Sequence, residues 1–242
     1  VAQPVSDAQS RVSREVFAER VRAFETRLLE NIKDIHVPTH LCLGQESVAA
    51  DLYVSLKRGD WVFSHHRNHG HYLAAGGTEE KLWDEIMGLE TGVNGGFSGS
   101  QAISDPSINF HASAIVGGLV GVATGCAYAL KMDKSKAIAV SIVGDGGTEA
   151  GVFWESLNFA VLHSLPIAYI VENNGMSVDS PIKERQATPL QPRAAAFGLR
   201  IAGSIWGALQ LARSGRPSFH EARVKLACHH IYGAGLGPRE VI

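Results

Sequence analysis

Cysteine, net charge and long apolar runs are all scarce in this chain of 242 residues. The three cysteines, Cys42, Cys126 and Cys228, lack metal-ligand spacing and are too few for a disulfide scaffold. A reducing, cytoplasmic setting is the simplest reading. A formal net charge of −2 and a sequence pI near 6.6 give no electrostatic footprint for nucleic acid or an anionic membrane surface. The opening residues, VAQPVSDAQSRVSRE, hold no apolar core of the kind a secretory signal needs. Only residues 112–130, ASAIVGGLVGVATGCAYAL, approach the length of a membrane span. Gly117, Gly121 and Gly125 recur there at every fourth position and so fall on one helical face. A single Gly/Ala-rich run in an otherwise soluble pattern reads as a buried helix whose backbone closely approaches another element, not as a membrane segment.

What is present is alternation. Val16, Phe17, Val21, Phe24, Leu28 and Leu29 recur at helical spacing over residues 7–32. A second helix is expected over 45–56, and a third after Thr78, whose hydroxyl can cap it ahead of Glu79 and Glu80. Residues 92–109 are rich in Gly, Ser and Asn and read as a long functional loop. Residues 137–144 and 167–171 read as buried strands around a helix marked by Phe153, Leu157, Ala160 and Val161. A further helix over 205–212 precedes a third strand near 218–226. Helices alternating with strands predict an α/β fold, a parallel sheet with helices on both faces. The chain is long enough for one large core, so one domain over 1–242 is expected, its body at about 40–230.

The chemistry lies where two apolar segments end. IVGDGG places Asp145 after the first, and VENNGMS places Asn173 and Asn174 after the second. If the two strands are parallel neighbours, both tips emerge at the carboxyl edge, where open α/β sheets bind ligands. Adjacent strands lie roughly 4.8 Å apart, so one ion can touch both tips. Asp and Asn oxygens are hard ligands suited to Mg²⁺ or Ca²⁺, and a single carboxylate leaves charge to be balanced by a bound phosphate. Gly144, Gly146 and Gly147 allow close backbone approach, and the next helix aims its N-terminus at the same place.

GDGGTEAGVFWESLN followed by VENN resembles the thiamine diphosphate fingerprint of the alpha subunit of the first component of 2-oxo acid dehydrogenase complexes, of pyruvate, branched-chain or acetoin type. THLCLGQE (39–46), HHRNHG (65–70) and AIVGGLVGVATG (114–125) match the same family in order. The resemblance implies a thiamine diphosphate-binding fold with Mg²⁺ held by Asp145, the Asn174 side chain and the Met176 carbonyl. It also implies Arg67 on the diphosphate, and a cofactor lining that includes His66, Val116, Gly144, Gly146, Gly147 and Asn174. Glu155 and Asn158 fall on family positions expected to support the metal loop. His40 and His69 fall on family histidines near the reacting centre, and CHHIYG (228–233) places either His229 or His230 there. His111 and His163 have no matching role.

His65, His66, His69 and His71 are dense enough to raise zinc, yet no ordered Cys or carboxylate accompanies them, and the family match accounts for them instead. Three departures stand out. His66 takes a position usually filled by tyrosine, no histidine occurs near Ala102, and Ala114 replaces a glycine. The GAGLGPREVI segment has no counterpart of the serine-bearing regulatory loop of some relatives. The implied activity forms a two-carbon acyl or ketol unit from a small 2-oxo acid such as pyruvate. That unit passes to a lipoyl domain or an acyl carrier protein, with a beta-type subunit completing the site in an α₂β₂ assembly. A split transketolase-like subunit acting on a ketose phosphate, and a non-catalytic subunit retaining the fold, are the competing readings.

Overall fold

The computed structural model describes residues 9–232, with side chains from residue 13. Asp7, the expected start of the leading helix, and residues 233–242 lie outside that range. In chain order the helices are α1 (Gln9–Glu30), α2 (Glu46–Ser55), α3 (His69–Ala74), α4 (Glu79–Ile86), α5 (Val120–Met132), α6 (Gly151–Leu162), α7 (Ile182–Arg185), α8 (Leu190–Ala196) and α9 (Ile205–Arg213). The strands are β1 (Trp61–Ser64), β2 (Ser104–Asp105), β3 (Phe110–Ala112), β4 (Ala139–Gly144), β5 (Ile167–Asn173), β6 (Met176–Ser177), β7 (Ser180–Pro181), β8 (Arg200–Ile201) and β9 (Ser218–Arg223).

Seven strands form one sheet in the order β2-β3-β1-β4-β5-β9-β8, parallel throughout except at the β2–β3 edge. The expected α/β architecture is therefore observed. Period-two alternation divides each central strand between two apolar layers. Val140, Ile142, Ala168 and Ile170 pack with Phe17, Val21, Leu52, Ile205 and Leu209 of α1, α2 and α9. Ala139, Val143, Tyr169 and Val171 pack on the other face with Ala123, Phe153, Leu157 and Ala194 of α5, α6 and α8. Thr78 caps α4 as expected, its hydroxyl accepting from the Lys81 N–H at 3.4 Å. Among the described residues no helix is long and apolar enough to cross a membrane.

The glycine-rich run differs from its expectation. The helix starts at Val120, so Gly117 precedes it in a turn at φ +74°, which favours glycine. A Cβ there would lie 3.2 Å from the Gly147 carbonyl oxygen, so the close backbone approach falls at this turn. Gly121 and Gly125 are exposed and α5 is only half buried. The loop at 92–109 is likewise more ordered than composition suggests. Buried Glu85 accepts from the N–H groups of Asn94 (2.6 Å), Gly96 (3.0 Å), Ser98 (2.7 Å) and Gly99 (3.2 Å), and thereby nucleates it.

Candidate active site

β4 and β5 are parallel neighbours, with Gly144 opposite Glu172. The residues that follow therefore emerge side by side at the carboxyl edge. A cavity of about 220 Å³ opens there, below the ends of β1, β4 and β5. Its wall includes His40, His66, Arg67, Val116, Gly144, Asp145, Gly146, Gly147, Asn174, Met176 and His230. Residues from six separated stretches of sequence thus meet in one place. A second, larger cavity of about 750 Å³ lies between α5 and β1–β3, is lined mainly by apolar groups such as Trp61, Phe63, Leu119 and Val122, and contains none of these residues.

The loop after β4 is a 3₁₀ turn over Asp145–Glu149. Thr148 donates to the Asp145 carbonyl at 2.7 Å, and Gln186 donates to the same oxygen at 3.2 Å. The Asp145 carboxylate is 2 % exposed and pairs with Arg185, which also holds Glu149. Burial pushes the Asp145 carboxyl up, and Arg185 offsets part of that effect. After β5, the Asn174 Oδ1 accepts from the Met176 N–H at 2.9 Å, an Asx turn that carries Met176 to the cavity wall. A Cβ added at Gly144 would meet open space, so the backbone there is bare to the cavity.

Arg67 is buried, and burial lowers its pKa. Its two terminal nitrogens donate to the Leu41 carbonyl and, at 3.1 Å, to the His230 carbonyl. Each retains a second N–H, so the fork remains able to take an anion. Gln101 donates to Nδ1 of His40 at 3.1 Å, which leaves the neutral ring protonated on Nε2. Burial, then the neighbouring His66 and Arg67, holds His40 far below its usual range, and His66 falls to about 2 through burial and the charges of His65 and Arg67. Both imidazoles are therefore neutral near pH 7. The His40 ring lies 4.3 Å from that of His66 and 5.4 Å from that of His230, centre to centre.

Beneath them sits a closed arrangement that sequence inspection missed. Glu172, buried at the end of β5, accepts from His65 Nε2 at 2.8 Å and from His71 Nε2 at 3.3 Å. His65 Nδ1 accepts from the Arg67 N–H at 3.2 Å, and His71 Nδ1 bonds the Ser64 hydroxyl at 2.9 Å. Burial opposes ionisation of Glu172, yet His71 and His65 together hold its carboxyl well below the usual range. The available signal was an acid inside an otherwise apolar strand.

Several expected positions are corrected. His69 does not face the cavity. It is fully buried, with Nδ1 on Glu25 at 2.7 Å and Nε2 on the Ser100 hydroxyl at 2.8 Å, and so ties α1 to the 98–101 loop. Of the two neighbours near the C-terminal end, His230 reaches the cavity, whereas the His229 ring packs at 5.6 Å against Tyr232. Glu155 and Asn158 stand exposed on the outer face of α6, so the bracing of the loop after β4 falls to Thr148, Arg185 and Gln186. His111 bonds the Ser104 hydroxyl at 2.7 Å and stacks on Phe63 and Trp61, outside the cavity.

Comparison with known proteins gives a coherent answer. Residues 17–203 match a family model described as "Dehydrogenase E1 component". The chain is 35 % identical over 162 residues to the pyruvate dehydrogenase E1 component subunit alpha of Rhizobium meliloti, covering 66 % of this chain and 47 % of that one. It is 35 % identical over 183 residues to the alpha subunit of acetoin:2,6-dichlorophenolindophenol oxidoreductase of Bacillus subtilis, covering 74 % and 55 %. A pyruvate dehydrogenase E1 component subunit alpha from Zymomonas mobilis is 34 % identical over 163 residues, covering 66 % and 46 %. The chain spans about half the length of the curated relatives it matches.

Proposed function

The chain belongs to the dehydrogenase E1 component family, and on that premise we propose that it is the alpha-type subunit of a cytoplasmic, thiamine diphosphate-dependent enzyme. It decarboxylates a 2-oxo acid such as pyruvate and delivers the two-carbon unit to a lipoyl or carrier-protein thiol. The observation that carries this reading is the convergence of Asp145, Asn174, Met176 and Arg67 on one cavity.

The residues fit the cofactor. A carboxylate, an amide oxygen and a backbone carbonyl form a hard, singly charged donor set, which suits Mg²⁺ shared with a diphosphate. Arg67 supplies a planar fork for phosphoryl oxygens, and Gly144 leaves the backbone bare beside them. When bound, thiamine diphosphate supplies the carbanion chemistry, and the protein supplies position and electrostatics. Of the protein's own groups, the Nε2–H of neutral His40 donates a hydrogen bond to a substrate oxygen, and His230 exchanges a proton beside it.

The site is one wall of a larger one. About 220 Å³ is small against the ~300–1,000 Å³ of ordinary cofactor pockets. Val116 at its rim is 54 % exposed, and Ile115 next to it in the chain is 70 % exposed. A beta-type subunit covering this face completes the site in an α₂β₂ assembly. Exposed Gly121 and Gly125 give that subunit close access to α5.

Calorimetry on the full chain, purified with its co-expressed partner, tests the reading. Mg²⁺-dependent uptake of thiamine diphosphate is expected, and Asp145→Ala should abolish it. No cofactor-dependent heat in the parent complex overturns the proposal. Comparing pyruvate, acetoin and xylulose 5-phosphate as donors assigns the reaction, and full turnover by the chain alone would remove the split site.

A further inference from the structure

The ring nitrogens of His40, His66 and His230 lie within 4.8 Å of one another on the cavity wall. Three imidazoles from three separate segments are a soft-to-borderline donor set, distinct in chemistry from the oxygen ligands of Asp145, Asn174 and Met176. We propose that these three histidines form a second metal site, selective for Zn²⁺ or a similar transition dication over Mg²⁺.

The geometry supports the assignment. Zinc–nitrogen bonds of about 2.0 Å place tetrahedral ligand atoms roughly 3.3 Å apart. The half-buried His66 and His230 close the difference by side-chain rotation, because both border the cavity. Ligation through Nε2 takes the other tautomer of His40, with Nδ1–H donating to a flipped Gln101 amide, the orienting role that partners outside the coordination sphere commonly play for metal-bound histidine. The fourth position opens onto the cavity, where water, hydroxide or a substrate carboxylate completes the shell. Nearby Arg67 opposes a bound dication, and an anion at that fourth position, together with Glu172, counters it.

The site is built from the chain's own side chains and stands whether or not the thiamine reading holds. Its functional consequence does rest on that reading. A metal on His40 and His230 removes the proton-handling groups, so low zinc inhibits reversibly and a chelator restores activity.

The test uses Co²⁺ as a spectroscopic probe on the full chain with its co-purifying subunit, in excess Mg²⁺. One Co²⁺ per chain with the visible absorption of a tetrahedral nitrogen site is expected, displaced by Zn²⁺. His66→Gln should weaken binding by more than about 100-fold, since losses outside the coordination sphere alone reach that scale. His40→Gln should do the same and serves where His66→Gln fails to fold. His111→Gln, outside the cavity, should leave the spectrum unchanged. No visible band in the parent protein, or a band that persists in either cavity variant, overturns the site. Cobalt binding without cofactor heat would sink the thiamine reading alone.

Discussion

Two sets of imidazoles lie at or directly behind one cavity wall, and they are handled in opposite ways. His65 and His71 share the carboxylate of Glu172 and have their other nitrogens engaged by Arg67 and Ser64. His40, His66 and His230 lie equally close together, yet no carboxylate is among them. The first set is a closed network whose charges and hydrogen bonds balance inside the fold, the arrangement in which buried polar groups rigidify a structure. In the second, desolvation and the neighbouring charges hold His40 and His66 well below the usual imidazole range. A single acid, placed at the end of β5, separates scaffold from reactive surface.

The comparison breaks most severely at that acid. Glu172→Ala removes the anion between two histidines beside buried Arg67, and a loss of about 3–5 kcal/mol is expected in urea unfolding. A change below 1 kcal/mol would show that the network is not closed.

Acidification should separate the two sets by pH window. His40 and His66 are held below 6.5 in the folded state, so the unfolded chain binds more protons once pH falls past that value. Stability then drops by about 1 kcal/mol per pH unit for each such histidine. Glu172 acts lower. Its carboxyl is depressed from 4.5, so its contribution is present above that value and lost as pH falls further toward the folded-state pKa. Denaturant midpoints between pH 7 and pH 3 should show both regions, and His66→Gln should flatten only the upper one. The smallest expected effect is at Ser64→Ala, which removes one hydrogen bond from His71 and should cost about 1 kcal/mol. A larger loss would mean that the serine orders more than that ring.

Legibility in the sequence followed the range of the interactions. Asp145 and Asn174 were readable together because parallel neighbours must end at the same edge, and the pairing of Gly144 with Glu172 delivers that. The Thr78 cap and the helical spacing of Phe17, Val21, Phe24 and Leu28 are likewise local. His69 was misplaced because its partner, Glu25, comes from α1, forty-four residues earlier. Gly117 fitted a four-residue repeat, but its positive φ and its approach to Gly147 are properties of a tertiary contact. Arg185 and Gln186 were overlooked as loop supports because they reach Asp145 from about forty positions away. The adjacent pair His229 and His230 could be resolved only by the packing of Tyr232.

One small bridge joins an early segment of the chain to its last described residue. Thr39 and Tyr232 exchange two backbone hydrogen bonds, of 2.8 and 2.9 Å, beside His40 and His230. A ribosome must release nearly the whole described length before that clasp can shut, and closing so wide a loop is slow relative to local folding. The β3-β1-β4-β5 part of the sheet and its scaffold of acid and imidazoles are released well before it, while the trio of His40, His66 and His230 can be brought together only at the end.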